Sequence, residues 1–297
     1  MRGRLCGDRG FHRKISVKSG PVSQLRGPQW GLMMRTSGTQ SPARHGRPRH
    51  RARNQALFVA LTLIAVTSAS VAAADDGAGP LGVTAVSAAT APGARVGALF
   101  GADKAGALAG NHFCTASVVH SAGRNLILTA AHCVSGDSDL VFVPGYRDGK
   151  APYGVWSVGK RFVPQGWSRD QDEDSDLAFA VLDPLRGKDL EDVVGANRFT
   201  TGRRTGATPV TVTGYPDERE VPVRCTNRPS AHSATQQRID CPKFTSGTSG
   251  SPWVDGRHEV VGVLGGHEMG GSTADTSYSV VFGDEAAELY EVASGAR

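Results

Sequence analysis

Acidic residues are nearly absent from the first quarter of this 297-residue chain. Residues 1–74 hold 13 of the 33 Lys and Arg but one of the 28 Asp and Glu. The remainder therefore has 20 basic and 27 acidic residues, a formal charge of −7, although the whole chain is at +5. Nucleic-acid phosphates require a basic face, so this balance argues against nucleic acid as a partner. Apolar residues are only 39%, and part of the chain is expected to lie outside any core.

The apolar run near the start of the chain is too short for a membrane span. Ala56–Val66 falls below the roughly 20 residues that a spanning helix needs. Arginines precede it and small residues follow it up to Ala74, which is the order of a secretory signal peptide. We expect residues 1–74 to be a leader with a signal peptide, and the protein to be secreted, extracellular and without stable membrane association. An uncleaved anchor is the alternative, and a start at Met33 or Met34 would give a more ordinary leader.

The number of cysteines, five, is odd, and in an exported protein it would leave a stray thiol. Removal of the leader removes Cys6 and leaves an even set in two close pairs, which we interpret as two local disulfides. The pairs are Cys114 with Cys133 and Cys225 with Cys241. A zinc cluster of the first pair with His112 and His132 is the alternative, but oxidised cysteines are not thiolate ligands. We therefore expect no metal and no cofactor.

Beyond the leader, helical periodicity is missing until the last residues, and there are no repeats of solenoid or propeller length. Residues 75–95 are rich in Ala, Gly, Ser and Thr without a clear period, so we interpret them as a linker or propeptide that cannot form a core. From Val96 onward, short apolar runs alternate with turn residues, which is typical of an all-β barrel or sandwich. Residues 284–294 carry a helical apolar stripe behind acidic residues, which predicts a closing amphipathic helix.

Two short motifs contain residues suited to nucleophilic catalysis. Ser249 lies in Thr-Ser-Gly-Thr-Ser-Gly-Ser-Pro, with glycines where backbone would approach a substrate closely. His132 ends Leu-Thr-Ala-Ala-His and is followed by Cys133. A serine hydroxyl needs a base within hydrogen-bond reach, and that base needs a third group to hold its tautomer. Taken singly, the serine motif also fits a flexible turn, and the histidine also fits a core or surface residue.

Together these motifs resemble the chymotrypsin/trypsin-like serine peptidases over about residues 96–293. In that family the order is His, Asp, Ser, and the aspartate opens a strand as Asp-x-Ala, which Asp176-Leu177-Ala178 matches. The resemblance implies an all-β fold of two packed six-stranded antiparallel β-barrels, at residues 96–195 and 196–297, with the C-terminal helix in the second.

The same resemblance assigns a role to each site residue. It implies that Ser249 is the nucleophile, His132 the general base and Asp176 the group that orients the histidine. The backbone N–H groups of Gly247 and Ser249 would form the oxyanion hole. Thr248 stands where animal trypsin zymogens carry an aspartate that pairs with the new amino terminus. Thr248 has no charge to do this, so we expect the fold itself to form the oxyanion hole.

The resemblance also implies a pocket for the substrate side chain. Its predicted residues are Thr245, Ser246, Gly265, Gly266 and His267. Animal trypsins carry glycine at the position of Ser251. With serine there, the motif around Ser249 resembles that of the bacterial glutamyl-endopeptidase branch more closely. Lys243 occupies the place of the aspartate that gives trypsin its selectivity, so a preference for Arg or Lys is disfavoured. Leu264 replaces a histidine of the glutamyl enzymes, and His267 is either a reader of acidic side chains or an exposed loop residue.

Alternating acidic residues before the candidate triad carboxylate resemble the start of a calcium loop. They are Asp170, Asp172, Asp174 and Asp176. An EF-hand needs glycine and glutamate further on, where this chain has Ser175 and Val181. We interpret residues 170–174 as a solvated acidic loop, with a nonstandard cation site as the alternative.

The sequence therefore predicts a secreted, monomeric serine endopeptidase that acts on protein or peptide substrates. Two alternatives use the same fold without catalysis: an inactive binding module at the cell envelope, and a membrane-anchored interaction protein. Loss of a triad residue would mark the inactive module, and His132, Asp176 and Ser249 are all present.

Overall fold

The computed structural model describes residues 80–296, a region of short strands with three α-helices. The strands are β1 (Val83–Val86), β2 (Val96–Gly101), β3 (His112–Val119), β4 (Leu126–Thr129), β5 (Leu140–Pro144), β6 (Trp156–Phe162), β7 (Ala178–Leu182), β8 (Arg198–Phe199), β9 (Val210–Gly214), β10 (Val223–Asn227), β11 (Ser230–Ala231), β12 (Gln236–Asp240), β13 (Pro252–Asp255), β14 (Glu259–Val263) and β15 (Thr276–Val280). The helices are α1 (Gln165–Asp170), α2 (Leu190–Val194) and α3 (Asp284–Ser294). The predicted signal peptide and Cys6 lie outside the described residues.

The first half of the described chain is a closed barrel. Its antiparallel strands follow the order β2-β3-β4-β7-β6-β5 around the ring. Side chains alternate between the two faces of each strand, so that every second residue enters the interior. Leu99, Ile127, Phe142 and Trp156 are almost completely buried in one interior cluster. The barrel interior is therefore a packed core, and the loops at its edges can carry a functional site.

Two sheets build the second half. Six strands follow the order β1-β10-β9-β13-β14-β8, and a second sheet has the order β11-β12-β15. Trp253 is fully buried between them with Val212 and Ile239. The Cys225–Cys241 disulfide joins β10 to the residue after β12 and so crosslinks the two sheets. The predicted class, mostly β with a closed six-stranded barrel and a C-terminal helix, is confirmed, although this half divides into two sheets.

Strand β1 lies within residues 75–95, which the sequence predicts to be a linker or propeptide that cannot form a core. It pairs antiparallel with β10, from Val83 opposite Thr226 to Val86 opposite Val223. The sequence pattern does not reveal it, because three of its four residues are exposed and backbone hydrogen bonds hold it. Just before it, a Cβ on Gly82 would meet Cys225 Sγ at 2.4 Å. Whether this segment is removed from the mature protein stays a prediction.

Helix α3 matches the predicted closing helix and packs across both halves. Ala286 and Ala293 are buried in a cluster with Val119 and Phe179 of the barrel. The Tyr290 hydroxyl donates a hydrogen bond of 2.7 Å to the His120 carbonyl. Among the described residues, no helix is both long and apolar enough to cross a membrane.

Candidate active site

His132 and Asp176 meet at one edge of the barrel. His132 lies in the short 3₁₀ turn Ala131–Cys133 after β4, and Asp176 lies just before β7, the strand that pairs with β4. The ring Nδ1 is 2.7 Å from Asp176 Oδ2, and the backbone N–H of His132 donates to Asp176 Oδ1 at 3.0 Å. A carboxylate can only accept, so Nδ1 carries the proton and Nε2 keeps its lone pair. This is the tautomer that a general base requires.

The Asp176 carboxylate is fully buried and fully hydrogen-bonded. Its third donor is the backbone N–H of Gly266, 2.8 Å from Oδ2, which comes from the second half of the molecule. A Cβ on the neighbouring Gly265 would lie 2.9 Å from this oxygen. Buried carboxylates are costly unless several donors satisfy them. Gly266 therefore donates to the carboxylate, and Gly265 leaves space for it. The sequence pattern did not reveal either role.

The backbone of His132 is held by the disulfide beside it. Cys133 is joined to Cys114 of β3, with their Cα atoms 6.1 Å apart. The imidazole is 12% exposed, and its ring lies 6.3 Å from that of the buried Trp167. The disulfide thus restrains the backbone of His132, and part of the imidazole stays accessible to solvent.

Ser249 lies in a tight loop before β13. Its carbonyl accepts a hydrogen bond of 2.7 Å from Thr115 N–H of β3, so the loop is attached to the first barrel. Gly250 has φ +83°, and a Cβ there would come within 2.0 Å of the Thr115 carbonyl oxygen. Only glycine tolerates both that conformation and that approach.

Gly247 is the second glycine that this loop requires. Its φ is +87°, and a Cβ would lie 2.6 Å from the Tyr215 carbonyl oxygen. Among residues 80–296, neither its N–H nor that of Ser249 donates to another protein group. Both N–H groups therefore remain available as donors in the described part of the chain.

His132 and Ser249 line one cleft of about 550 Å³. In the described region, no hydrogen bond joins the Ser249 hydroxyl to the imidazole. Such contacts are often long before substrate binds, so the shared cleft is the relevant observation. The rest of its wall comes from Phe113, Cys114, Phe244–Ser249, Leu264 and Glu268–Ala274.

Comparison with known proteins identifies the family. The model of the trypsin-like peptidase domain matches residues 114–263, about half of the chain, and this range contains His132, Asp176 and Ser249. The chain belongs to this peptidase family. No curated protein matches its sequence.

Solved structures of bacterial serine proteases share the fold. The protease Anisep from Arthrobacter nicotinovorans is 27% identical, with a TM-score of 0.62 over 72% of this chain and 100% of that one. A thermostable serine protease, AL20, from an extremophilic microorganism is 25% identical, with a TM-score of 0.60 over 70% of this chain and 100% of that one. A Glu endopeptidase is 20% identical, with a TM-score of 0.60 over 74% and 99%. The likeness to the last enzyme shows the fold alone.

The predicted pocket residues of this peptidase divide into two groups. Thr245 and Ser246 line the cleft, whereas Gly265, Gly266 and His267 do not. The two glycines face Asp176 instead. His267 packs against His232 in a tilted arrangement and against Tyr278 edge to face, with ring centroids 4.7 and 4.8 Å away. It also lies 3.4 Å from Glu173, so its contacts do not direct it at a substrate in the cleft.

The charged side chain in the wall of the cleft is not that of Lys243. Lys243 is exposed and does not line the cleft, although Phe244 after it does. The acidic side chain in the wall is that of Glu268, which the sequence analysis did not single out. A hydrogen bond from Ser272 lowers the pKa of Glu268, which keeps the carboxylate charged. Among the described residues that line the cleft, Glu268 is therefore the acidic one, and the disfavour for Arg or Lys stays a prediction.

The acidic loop before Asp176 makes local hydrogen bonds. Asp172 Oδ1 accepts from Asp174 N–H at 3.0 Å, and Asp174 Oδ1 accepts from Gln236 Nε2 at 2.8 Å. Glu173 Oε1 accepts from Glu268 N–H at 2.9 Å. These bonds connect the loop to the rim of the cleft, and a role in cation binding stays a prediction.

The cysteines near His132 are not free metal ligands. Ligand atoms of Cys114, His132 and Cys133 lie within 4.8 Å of one another. The two sulfurs are bonded to each other, whereas zinc takes thiolates. The predicted pairing of Cys114 with Cys133 and of Cys225 with Cys241 is confirmed.

Proposed function

We propose that the protein is a secreted serine endopeptidase that hydrolyses peptide bonds through an acyl-enzyme, with His132, Asp176 and Ser249 as its triad. The observation that carries the proposal is the 2.7 Å contact between His132 Nδ1 and the buried Asp176 carboxylate, in a cleft whose wall includes Ser249. A histidine in this tautomer, beside a serine, is the arrangement that nucleophilic hydroxyl catalysis needs.

The reaction would begin with attack of Ser249 Oγ on the substrate carbonyl carbon. His132 Nε2 takes the hydroxyl proton, and Asp176 stabilises the resulting imidazolium. The carbonyl oxygen becomes an oxyanion and accepts from the N–H groups of Gly247 and Ser249. His132 then returns the proton to the leaving amine, which departs and leaves an acyl ester on Ser249. A water molecule, deprotonated by His132, attacks the ester and regenerates the serine.

Secretion is supported by the disulfides and by the order of the leader. Disulfides form and persist outside the reducing cytosol, and both pairs of cysteines after the leader are oxidised. The Arg-rich start, apolar core and small residues up to Ala74 have the order of a signal peptide. Amino-terminal sequencing of protein from the culture medium tests this, and a start within residues 1–74 would contradict a cleaved leader.

A fluorophosphonate probe tests the catalytic assignment. The purified mature protein is treated with the probe, digested and mapped by mass spectrometry, and hydrolysis of casein is measured in parallel. We expect one labelled peptide with the adduct on Ser249. Ser249→Ala should remove labelling and lower turnover by about a millionfold. The exposed Ser233, which does not line the cleft, supplies the control for labelling, and Ser233→Ala should keep the adduct on Ser249.

An inactive binding module would give a different result. It would show neither labelling nor hydrolysis while circular dichroism and thermal melting indicate a folded protein. Labelling at another serine would overturn the choice of nucleophile and leave the peptidase fold unaffected.

A further inference from the structure

Thr115 belongs to the first barrel, yet its N–H and hydroxyl are directed at the loop around Ser249. It is fully buried on β3. Its N–H donates to the Ser249 carbonyl at 2.7 Å, and its hydroxyl donates to the Gly247 carbonyl at 3.0 Å. The same hydroxyl accepts from Tyr215 N–H at 2.9 Å. A hydroxyl has one proton, and the Tyr215 N–H can only donate, so the proton is directed at Gly247.

The orientation of the carbonyls in this loop fixes the orientation of its N–H groups. A trans peptide is planar, and its C=O and N–H point in opposite directions. The Ser246 carbonyl accepts from Asp217 N–H at 2.8 Å, so Gly247 N–H points away from Asp217. The Thr248 carbonyl accepts from Ser251 N–H at 3.0 Å and from its hydroxyl at 2.7 Å. Ser249 N–H therefore points away from Ser251.

The Gly247–Thr248 peptide lies between these two. Its N–H donates to the Thr245 carbonyl at a long 3.2 Å, and its carbonyl needs a donor of its own. Gly247 has φ +87°. Glycine has wide backbone freedom, so a rotation at this residue would turn both flanking N–H groups. The hydrogen bond that holds its carbonyl comes from the Thr115 hydroxyl. The side chain of Thr248 bonds to the Thr245 carbonyl at 2.6 Å and is not available for this.

We infer that Thr115 is a positioning residue: its hydroxyl holds the Gly247–Thr248 peptide so that the N–H groups of Gly247 and Ser249 stay aimed at the oxyanion. This inference rests on the proposed function, because it assigns work to the oxyanion hole of the same site. The Thr115 hydroxyl also restrains an oxyanion hole in which position 248 carries no charge. This hydroxyl is neutral and comes from the first barrel, so no cleaved amino terminus is needed.

Two isosteric substitutions separate this role from general stability. Thr115→Val removes the hydroxyl that holds the loop. Thr129→Val is the matched control, because Thr129 is equally buried and its hydroxyl donates to the Thr115 carbonyl at 2.8 Å. Both variants lose a buried hydroxyl, and only Thr115→Val releases the Gly247 carbonyl. We expect at least a tenfold loss of kcat with little change in KM for Thr115→Val, and less than a twofold change for Thr129→Val.

The inhibition constant of a peptide aldehyde is a measurement that does not depend on the stability of the variant. The hemiacetal oxygen of the aldehyde occupies the oxyanion hole, so the inhibition constant should rise at least tenfold in Thr115→Val and stay within twofold in Thr129→Val. If Thr115→Val does not fold, Thr115→Ser and Thr115→Ala replace it. Both lack the methyl group, and Thr115→Ser, which keeps the hydroxyl, should have the higher kcat by at least tenfold.

The outcomes separate the two proposals. A wild-type protein that neither hydrolyses casein nor reacts with fluorophosphonate overturns both. An active wild type whose Thr115→Val variant keeps kcat and aldehyde affinity within twofold overturns the role of Thr115 alone. Equal loss of kcat in Thr115→Val and Thr129→Val would also overturn it, because the effect would then follow from stability.

Discussion

Asp174 and Asp176 are two residues apart, yet their carboxylates serve different partners. Asp176 contacts His132 through two hydrogen bonds, whereas Asp174 accepts from Gln236 Nε2. Asp176→Asn should lower kcat about ten-thousandfold, because an amide favours the wrong histidine tautomer. Asp174→Asn is the control and should keep kcat within a fewfold. Steady-state kinetics on one peptide substrate decides, and greater damage from Asp174→Asn would show that the wrong carboxylate has been chosen.

The two disulfides should differ in what their removal does to activity. Each closes a short loop, with sequence separations of 19 and 16 residues, and should contribute roughly 3 kcal/mol to the free energy of unfolding. Replacement of Cys225 and Cys241 by Ala should lower the melting temperature and leave kcat of the folded fraction nearly unchanged. Replacement of Cys114 and Cys133 should lower both, because Cys133 adjoins His132. Similar kcat values for the two double variants would contradict this distinction.

Gly250→Ala should disrupt the loop around the nucleophile. The substitution places a Cβ 2.0 Å from the Thr115 carbonyl oxygen at a φ of +83°, which should cost at least about 2 kcal/mol of stability. Gly256→Ala is the control, because its Cβ would meet no atom within 4 Å. Chemical denaturation measures both variants. A free energy of unfolding for Gly250→Ala within about 0.5 kcal/mol of wild type would show that the loop adapts easily.

Glu268 should favour basic side chains near the scissile bond. It lines the cleft as a charged carboxylate, whereas Lys243 is exposed and outside the wall. Exposed ion pairs are screened by solvent, so the effect of this carboxylate should be small. Glu268→Gln should therefore lower kcat/KM for peptides with Lys or Arg by two- to fivefold relative to their norleucine counterparts. Lys243→Ala should leave this ratio unchanged, and the opposite pattern would support the interpretation based on Lys243.

The choice of amino terminus should affect stability more than turnover. A start at Ala88 removes β1, whose pairing with β10 we expect to contribute about 2 kcal/mol. This corresponds to roughly 4–8 °C in melting temperature. Forms starting at Asp75, Pro80, Ala88 and Val96 should nevertheless have similar kcat at a temperature where all are folded. Activity restricted to one of these starts would mean that a specific amino terminus orders the site.

The sequence predicted the parts of the molecule that periodicity or a motif encodes. The all-β class, helix α3 and both disulfide pairs follow from short apolar runs, a helical stripe and cysteine spacing, whereas the six-stranded barrel was implied by the family resemblance. The motifs also nominated His132, Asp176 and Ser249, and the structure brings the first two into hydrogen-bond contact.

Contacts between segments distant in sequence could not be predicted from such local patterns. The Thr115 hydroxyl meets Gly247 across 132 positions, and Gly266 meets Asp176 across 90. Neither contact leaves a local pattern. Strand β1 was missed for a related reason, because backbone pairing at a sheet edge requires little of its side chains.

Helix α3 has a consequence for the order in which the molecule is completed. It follows all the described strands in sequence, yet Ala286 and Ala293 cover apolar side chains of the first barrel. The hydrogen bond from Tyr290 to His120 spans 170 positions. Contacts of such large sequence separation form slowly, because the chain between them must first be brought together. A chain cut before residue 284 would leave Val119 and Phe179 without this cover, so helix α3 completes the packing on the outside of the first barrel.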